Sequence, residues 1–117
     1  MSFSRGDIVL VDYPFSDRTG SKVRPALIVQ ADALNSRITD TILAAISRST
    51  HRASATQLLI ELSTPDGAQS GLRQDSMIQC ENLLTFDQRH IIAKIGGLTR
   101  GLMVQIDGCL KAALELP

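Results

Sequence analysis

The chain has 117 residues, with twelve Lys and Arg balanced by twelve Asp and Glu, and 44% of its residues are hydrophobic. This length suits one domain spanning residues 1–117, and the composition is that of a globular chain. Zero net charge excludes a strongly basic coat for nucleic acid. Because no apolar run approaches the ~20 residues of a membrane span, and Met1–Arg5 lacks a secretory signal, we expect a cytoplasmic protein with no membrane partner.

Short runs rich in β-branched and aliphatic residues predict five strands, at residues 7–13, 24–31, 41–47, 56–62 and 76–81. Asp32 is a candidate cap for a short helical turn after the second strand. The segment Thr64-Pro65-Asp66-Gly67 predicts a type I turn after the fourth. Residues 91–95 fit either a strand or a helix, and Gly96-Gly97 is predicted to end that segment.

The last segment predicts an amphipathic helix with Thr99 as its N-cap. Its apolar stripe contains Leu102, Ile106, Leu110, Ala113 and Leu114. The succession of short strands and one terminal helix indicates an α+β, mainly β fold. We expect a small antiparallel β-barrel with a C-terminal amphipathic helix.

Neither cysteine lies in a metal-binding or disulfide-type motif. Cys80 and Cys109 are far apart in sequence, without a CxxC pattern, and His51 and His90 each stand alone. The cysteines are therefore predicted to be reduced core residues, and we expect no metal and no cofactor.

The charges are unevenly placed along the chain. No acidic residue lies between Thr41 and Ile60, where Arg48 occurs, and the segment before the second strand adds Lys22 and Arg24. If the second and third strands are neighbours, these cations form a positive patch that suits a few phosphates. The alternative is that scattered arginines only keep the loops soluble.

The Arg24-Pro25 pair begins the second strand. A following Pro restricts Arg24 to an extended backbone, and the strand behind it gives the guanidinium a defined direction. A guanidinium suits phosphate oxygens and the charge that develops in phosphoryl transfer. The third strand ends at Ser47, and the fifth presents Gln79 and Glu81 on one face. An Arg-Pro pair at a strand start can also be purely structural.

The run Arg5-Gly6-Asp7-Ile8-Val9-Leu10-Val11-Asp12, followed by a polar loop and Val23–Val29, resembles the opening of the MazF/PemK family of toxin endoribonucleases. The resemblance continues through Ala44–Ser47, Gly71–Ser76, Thr85–Asp87 and the final helix. It implies an SH3-like barrel of the superfamily that includes CcdB, and a homodimer that cleaves single-stranded RNA at specific sequences without a metal. It also implies a type II antitoxin partner with an acidic disordered tail.

The resemblance assigns the catalytic arginine to Arg24 and the catalytic threonine to Ser47, with Ser49 and Thr50 as alternative hydroxyls. Glu81 is a possible catalytic base, although some relatives have Arg and Asp where Gln79 and Glu81 stand, and this chain lacks the first-loop His of some relatives. The predicted RNA-binding residues are Ser16, Arg18, Lys22, Arg48, Ser76 and Gln79.

Two other functions fit the same fold. One is a non-catalytic toxin that binds DNA gyrase, as CcdB does, although the ending Leu114–Pro117 lacks the Trp-Gly-Ile of that protein. The other is a degenerate paralogue that binds antitoxin without cutting RNA, a reading favoured by Ser47 and the missing loop His. The Arg24-Pro25 element argues against the gyrase-binding function.

Overall fold

A computed structural model of the chain describes residues 3–14, 21–51 and 54–117. Its strands are β1 (Asp7–Pro14), β2 (Ser21–Ile28), β3 (Asp40–Ser47), β4 (Gln57–Ile60), β5 (Ser76–Asp87) and β6 (Ala93–Gly97). Its helices are α1 (Asp32–Asn35), α2 (Pro65–Ala68) and α3 (Arg100–Leu114), with a 3-10 turn at Gln88–His90. These elements confirm the mainly β, α+β class.

The strands form one curled antiparallel sheet in the order β4-β5-β3-β2-β1-β6. The sheet and the terminal helix confirm the predicted small barrel-like fold with a C-terminal helix. β3 lies between β2 and β5, but its last residues, Ile46 and Ser47, pair with β5 only. The second and third predicted strands are thus adjacent, as the charge argument requires.

Each face of the sheet carries its own apolar cluster because side chains alternate along a strand. The helix face packs Ile8, Leu27 and Ile46 with Ile106 of α3. On the far face the buried residues are Val9, Val11, Ala26, Ile28, Leu43 and Ile91. Burying a large aliphatic side chain contributes ~1.5–3 kcal/mol, so both clusters stabilise the sheet.

Helix α3 follows the predicted pattern closely. Thr99 is its N-cap, and the Thr99 hydroxyl accepts a hydrogen bond from the Leu102 N–H at 3.4 Å. Ile106 is fully buried, whereas Leu114 is 52% exposed and departs from the predicted buried stripe. Among the described residues, no helix is long and apolar enough to cross a membrane.

Both cysteines lie in the core as predicted. Cys80 on β5 and Cys109 on α3 are buried, free and part of the cluster on the helix face. Burial raises the pKa of Cys80 to about 12, and the neighbouring Cys109 and Glu81 add to the rise. Burial also raises the pKa of Cys109. The thiols are therefore protonated near neutral pH.

Several local predictions were wrong. β2 begins at Ser21, not Arg24, because Ser21–Val23 pair with β1. The segment that fitted either a strand or a helix is strand β6, and it ends at Gly97 as predicted, with Gly96 and Gly97 still paired with Ile8 and Asp7.

The predicted cap and turn also differ from the structure. Asp32 is the first residue of α1 rather than its cap, and its carboxylate accepts a hydrogen bond from the Arg5 N–H at 2.6 Å. The expected type I turn is the start of α2, where the Thr64 hydroxyl accepts from the Gly67 N–H at 3.0 Å. In both places a hydrogen bond decides the conformation.

Candidate active site

A pocket opens where β2 and β3 separate. The two strands pair from Ile28–Leu43 to Ala26–Ala45. Beyond that pair, β2 continues against β1, and β3 continues against β5. The resulting pocket has a volume of about 540 Å³ and is lined by Leu10, Lys22, Val23, Arg24, Pro25, Ile46, Arg48, Gly71, Leu72, Arg73, Gln74, Ser76 and Ile95.

The charged residues of this pocket are all cationic. Lys22, Arg24, Arg48 and Arg73 line it, and no Asp or Glu is among the lining residues that the structure describes. Four cations in a concave site focus a positive potential and favour an anionic ligand. The pocket therefore provides the positive patch that the sequence predicted, although the chain as a whole is neutral.

Arg24 and Ser47 lie on the same face of the sheet. Each lies two residues beyond Ala26–Ala45, the last pair between β2 and β3, so both are at the end of the sheet where these strands separate. Gln79 pairs with Ala45 and therefore belongs to this far face as well. Alternation thus puts a guanidinium, a hydroxyl and an amide position on the far face. Of these three residues only Arg24 lines the pocket, whose apolar lining includes Ile46 and Leu72 of the helix-face cluster.

Ser47 is half-buried at the end of β3, between two residues that line the pocket. Its Oγ accepts a hydrogen bond from the Ser49 N–H at 3.1 Å. This bond restricts the side chain and leaves the hydroxyl hydrogen available to donate. Ser49 and Thr50 are exposed beyond the strand.

Comparisons with known proteins agree with this architecture. Residues 4–114 match the family model described as PemK-like, MazF-like toxin of type II toxin-antitoxin system. The chain belongs to this toxin family. It is 31% identical to "Endoribonuclease EndoA" of Bacillus subtilis, covering 99% of this chain and 97% of the relative. It is also 31% identical to "Endoribonuclease MazF" of Staphylococcus epidermidis, covering 96% and 91%.

Solved structures share the fold of this PemK/MazF-like toxin. One is a mycobacterial endoribonuclease in complex with its cognate antitoxin, with a TM-score of 0.81, 22% identity and coverage of 99% of this chain and 98% of that one. Another is a MazE-MazF complex from Deinococcus radiodurans, with a TM-score of 0.72, 16% identity and coverage of 100% and 99%. The family and fold expected from the sequence are confirmed.

The toxin's other predicted site residues are distributed around the pocket. Lys22, Arg24, Arg48 and Ser76 line it, but Ser76 is only 2% exposed and its hydroxyl donates to the Gln74 carbonyl at 2.9 Å. Ser76 therefore holds Gln74 in place. The predicted RNA-binding residues Ser16 and Arg18 lie outside the described residues.

Glu81 of the toxin does not line the pocket. It is exposed, and its carboxylate accepts hydrogen bonds from Thr56 Oγ1 at 2.9 Å and Gln57 Nε2 at 2.5 Å. Asn82 Nδ2 donates to Gln79 Oε1 at 3.3 Å. A register shift opposite Ala44 and Ala45 lies in this part of β5. Glu81 is therefore tied to β4, on the side of β5 away from Arg24.

Sequence reasoning missed Arg73 and Gln74 as pocket residues. Both lie in the segment before β5, which folds back against β6 and faces the gap between β2 and β3. Their segment contributed to the resemblance, but no periodic pattern distinguishes a pocket residue there. Across residues 3–14, 21–51 and 54–117, no three His, Cys, Asp or Glu side chains group in a way that would hold a metal ion.

Proposed function

We propose that this PemK/MazF-like toxin is a metal-independent, sequence-specific endoribonuclease that cuts single-stranded RNA. The observation that carries the proposal is that Arg24, on the same face of the sheet as Ser47, lines a pocket whose charged residues, among those described, are all cationic. The named endoribonucleases that are 31% identical over nearly the whole chain support the same activity.

The reaction is in-line attack by an RNA 2′-hydroxyl on the adjacent phosphorus. The O2′–P bond forms and the P–O5′ bond breaks, which leaves a 2′,3′-cyclic phosphate and a 5′-hydroxyl. One proton leaves O2′ and one reaches O5′, so the step balances without water or a metal ion. Arg24 neutralises the charge that builds on the phosphorus oxygens, because its planar donors match two of them. Ser47 donates its free hydroxyl hydrogen to a non-bridging oxygen.

The proton acceptor for O2′ must be a group other than the guanidinium, which remains charged in proteins. We retain Glu81 as the candidate base. Its hydrogen bonds from Thr56 and Gln57 hold the carboxylate toward β4, so Glu81 can take the O2′ proton only if RNA binding brings it within hydrogen-bond reach of O2′. Lys22 and Arg48 hold phosphates next to the cut.

We also propose that residues 1–117 act in the cytoplasm as one toxin domain, as a homodimer, under control of a cognate antitoxin. An antitoxin with an acidic disordered tail suits the four cations of the pocket and would fold as it binds. Such a tail competes with RNA because both ligands are anionic.

The first test is cleavage of a long single-stranded RNA in excess EDTA, with wild type, Arg24→Ala and the control Arg100→Ala. Arg100 is exposed at the start of α3, away from the pocket. We expect wild type and Arg100→Ala to cut equally and Arg24→Ala to lose roughly 10²–10³-fold or more in rate, with an unchanged circular dichroism spectrum. A 2′-deoxy substitution at the cut position should abolish cleavage.

Three results would overturn the proposal. Cutting that requires added metal contradicts the mechanism, and cutting that survives Arg24→Ala contradicts the site. Folded wild type that inhibits gyrase, or that binds antitoxin but cuts no RNA, would favour the gyrase-binding toxin or the degenerate paralogue.

A further inference from the structure

We propose that the pocket between β2 and β3 is a subsite for one nucleotide next to the cleaved phosphodiester, and that Gln74 reads the edge of its base. This inference rests on the proposed RNA cleavage and names the group that sets part of the sequence preference. It assigns the apolar part of the pocket's lining (Val23, Leu72 and Ile95), which we call the floor, to the base. The cationic part (Arg48 and Arg73), which we call the rim, is assigned to the flanking phosphates.

The floor of the pocket is apolar yet open to solvent. Val23, Leu72 and Ile95 contribute to it, and Val23 is 56% exposed on a strand whose next apolar residues are fully buried. Exposed aliphatic surface inside a concave site is typical of a ligand-binding position. The face of a nucleobase is planar and largely apolar, so it covers such a floor well without an aromatic partner.

The rim of the pocket supplies charge on two sides. Arg48 follows β3, and Arg73 precedes β5. Guanidinium groups bind phosphate oxygens with two parallel hydrogen bonds. A nucleotide combines an apolar plane with a flanking negative charge, and the volume of about 540 Å³ fits the ~300–1,000 Å³ range of small-ligand pockets.

One wall of the pocket is fixed by close backbone contact. A Cβ added to Gly71, whose φ is +77°, would lie 2.0 Å from the Ile95 carbonyl oxygen. A Cβ on Gly96 would lie 2.2 Å from the Ser70 carbonyl oxygen. The two segments touch only because neither glycine has a side chain. Their backbone contact therefore forms this wall of the pocket before a ligand binds.

The Gln74 backbone is positioned by the two residues that follow it. The Ser76 hydroxyl donates to the Gln74 carbonyl at 2.9 Å, and the Asp75 carboxylate accepts from the Leu62 N–H at 2.9 Å. The exposed Gln74 amide offers donors and an acceptor side by side, which is the pattern needed to pair with a base edge. A glutamate at this position keeps the shape but replaces the donors with an acceptor.

The decisive experiment maps cut sites in a randomised RNA pool with wild type, Gln74→Glu and the control Gln69→Glu. Gln69 is an exposed glutamine in the same loop region that does not line the pocket, so its substitution matches the charge change. We expect Gln74→Glu to change the base preference at one position of the motif by roughly tenfold, while Gln69→Glu retains the wild-type motif. An unchanged motif for folded Gln74→Glu, with wild type still cutting, overturns the subsite but not the proposed function.

A binding experiment tests the rim without requiring cleavage. Affinity for a 2′-O-methyl RNA pool, which resists attack by O2′, is measured against salt for wild type, Arg73→Ala and Arg100→Ala. Loss of one phosphate contact should reduce the slope of log affinity against log salt by ~0.7 in Arg73→Ala alone. Equal slopes in all three proteins overturn the subsite. If wild type binds with the expected slopes but cuts no RNA, the subsite stands and the proposed cleavage fails.

Discussion

The backbone N–H of Ser49 donates a hydrogen bond to the Ser47 hydroxyl oxygen at 3.1 Å. A threonine at this position would be restricted by its methyl group, because β-branched side chains have few χ1 rotamers. In this chain the hydrogen bond supplies that restriction. We therefore expect the serine to substitute for the threonine that the family resemblance implies.

This contact predicts how substitutions at Ser47 affect cleavage. Ser47→Ala removes a donor to the phosphorus oxygens, so we expect single-turnover cleavage to slow by roughly 10²–10³-fold. Ser47→Thr keeps the hydroxyl, and its rate should stay within about fivefold of wild type. The controls are Ser49→Ala and Thr50→Ala, which remove the alternative hydroxyls while keeping the Ser49 N–H, and both should cut at nearly the wild-type rate. A large loss in either control, with Ser47→Ala active, would move the catalytic hydroxyl.

Gly71 and Gly108 predict opposite effects of the same substitution. In Gly71→Ala the new methyl meets the Ile95 carbonyl at 2.0 Å on a backbone with φ +77°, so we expect a loss of more than about 2 kcal/mol in the free energy of unfolding. In Gly108→Ala, within α3, the methyl meets nothing within 4 Å, and the helix should gain ~0.5–1 kcal/mol. Urea unfolding measures both changes. Equal effects at the two positions would contradict the close contact at Gly71.

The sequence predicted β3 and α3 well because their patterns of burial are local. Ile106 lies on the predicted apolar stripe of α3 and is fully buried, and Ile46 lies in the predicted third strand and is 4% exposed. Gly96 shows a contact that local sequence patterns do not predict. The Gly96-Gly97 pair marks the end of β6 as predicted, but Gly96 also admits the Ser70 carbonyl from a distant segment. That contact depends on the tertiary fold and leaves no local signal.

The candidate site was predictable to the same extent. Arg24 was found because Pro25 follows it and an apolar strand continues behind it. Arg73 was not selected, because its place in the pocket depends on a loop that crosses from α2 to β5. The placement of Arg24 and Ser47 on one face likewise depends on how β2 pairs with β3 across the connection that contains α1.

The thiol of Cys80 predicts a loss of stability in alkaline solution. Burial raises its pKa from 9.0 to about 12, so the unfolded chain loses this proton first as pH rises. The stability that the protonated Cys80 thiol contributes is fully present below about pH 9 and is lost between about pH 9 and about pH 12. The loss in the free energy of unfolding reaches about 2 kcal/mol by about pH 10.5. Urea midpoints of wild type and Cys80→Ala, measured from about pH 8 to about pH 10.5, test this. The variant starts less stable but should show a shallower decline, and parallel declines would contradict the assignment.

The same burial predicts slow thiol chemistry in the folded protein. Thiolate is the reactive form, and both Cys80 and Cys109 are buried with raised pKa values. A disulfide reagent at neutral pH should therefore modify native protein only as it opens, and modify urea-unfolded protein at once. Rapid labelling of either cysteine in the native state would show that β5 and α3 separate readily.

The hydrogen bonds of the Asn35 side chain predict a loss in the free energy of unfolding when the connection between β2 and β3 is disturbed. Its side-chain oxygen accepts from Gln30 Nε2 at 2.9 Å and from Thr41 Oγ1 at 2.7 Å, and its amide donates to the Gln30 carbonyl at 3.0 Å. Gln30 follows β2 and Thr41 lies near the start of β3, so this network fixes how the two strands meet. Asn35→Ala leaves the fully buried Thr41 hydroxyl without its acceptor, and we expect a loss of ~2–4 kcal/mol.

The matched control for this network is Asn82→Ala. Asn82 is an exposed residue of β5, and its substitution should change the free energy of unfolding by less than about 0.5 kcal/mol. A second variant, Thr41→Val, removes the other partner of the buried bond. If the network is real, the double variant Asn35→Ala/Thr41→Val should lose less than the sum of the two single losses, because the hydroxyl left unsatisfied by Asn35→Ala is then absent. Strict additivity would mean that Asn35 and Thr41 stabilise the fold independently, and that the register of β2 against β3 is set by strand pairing alone.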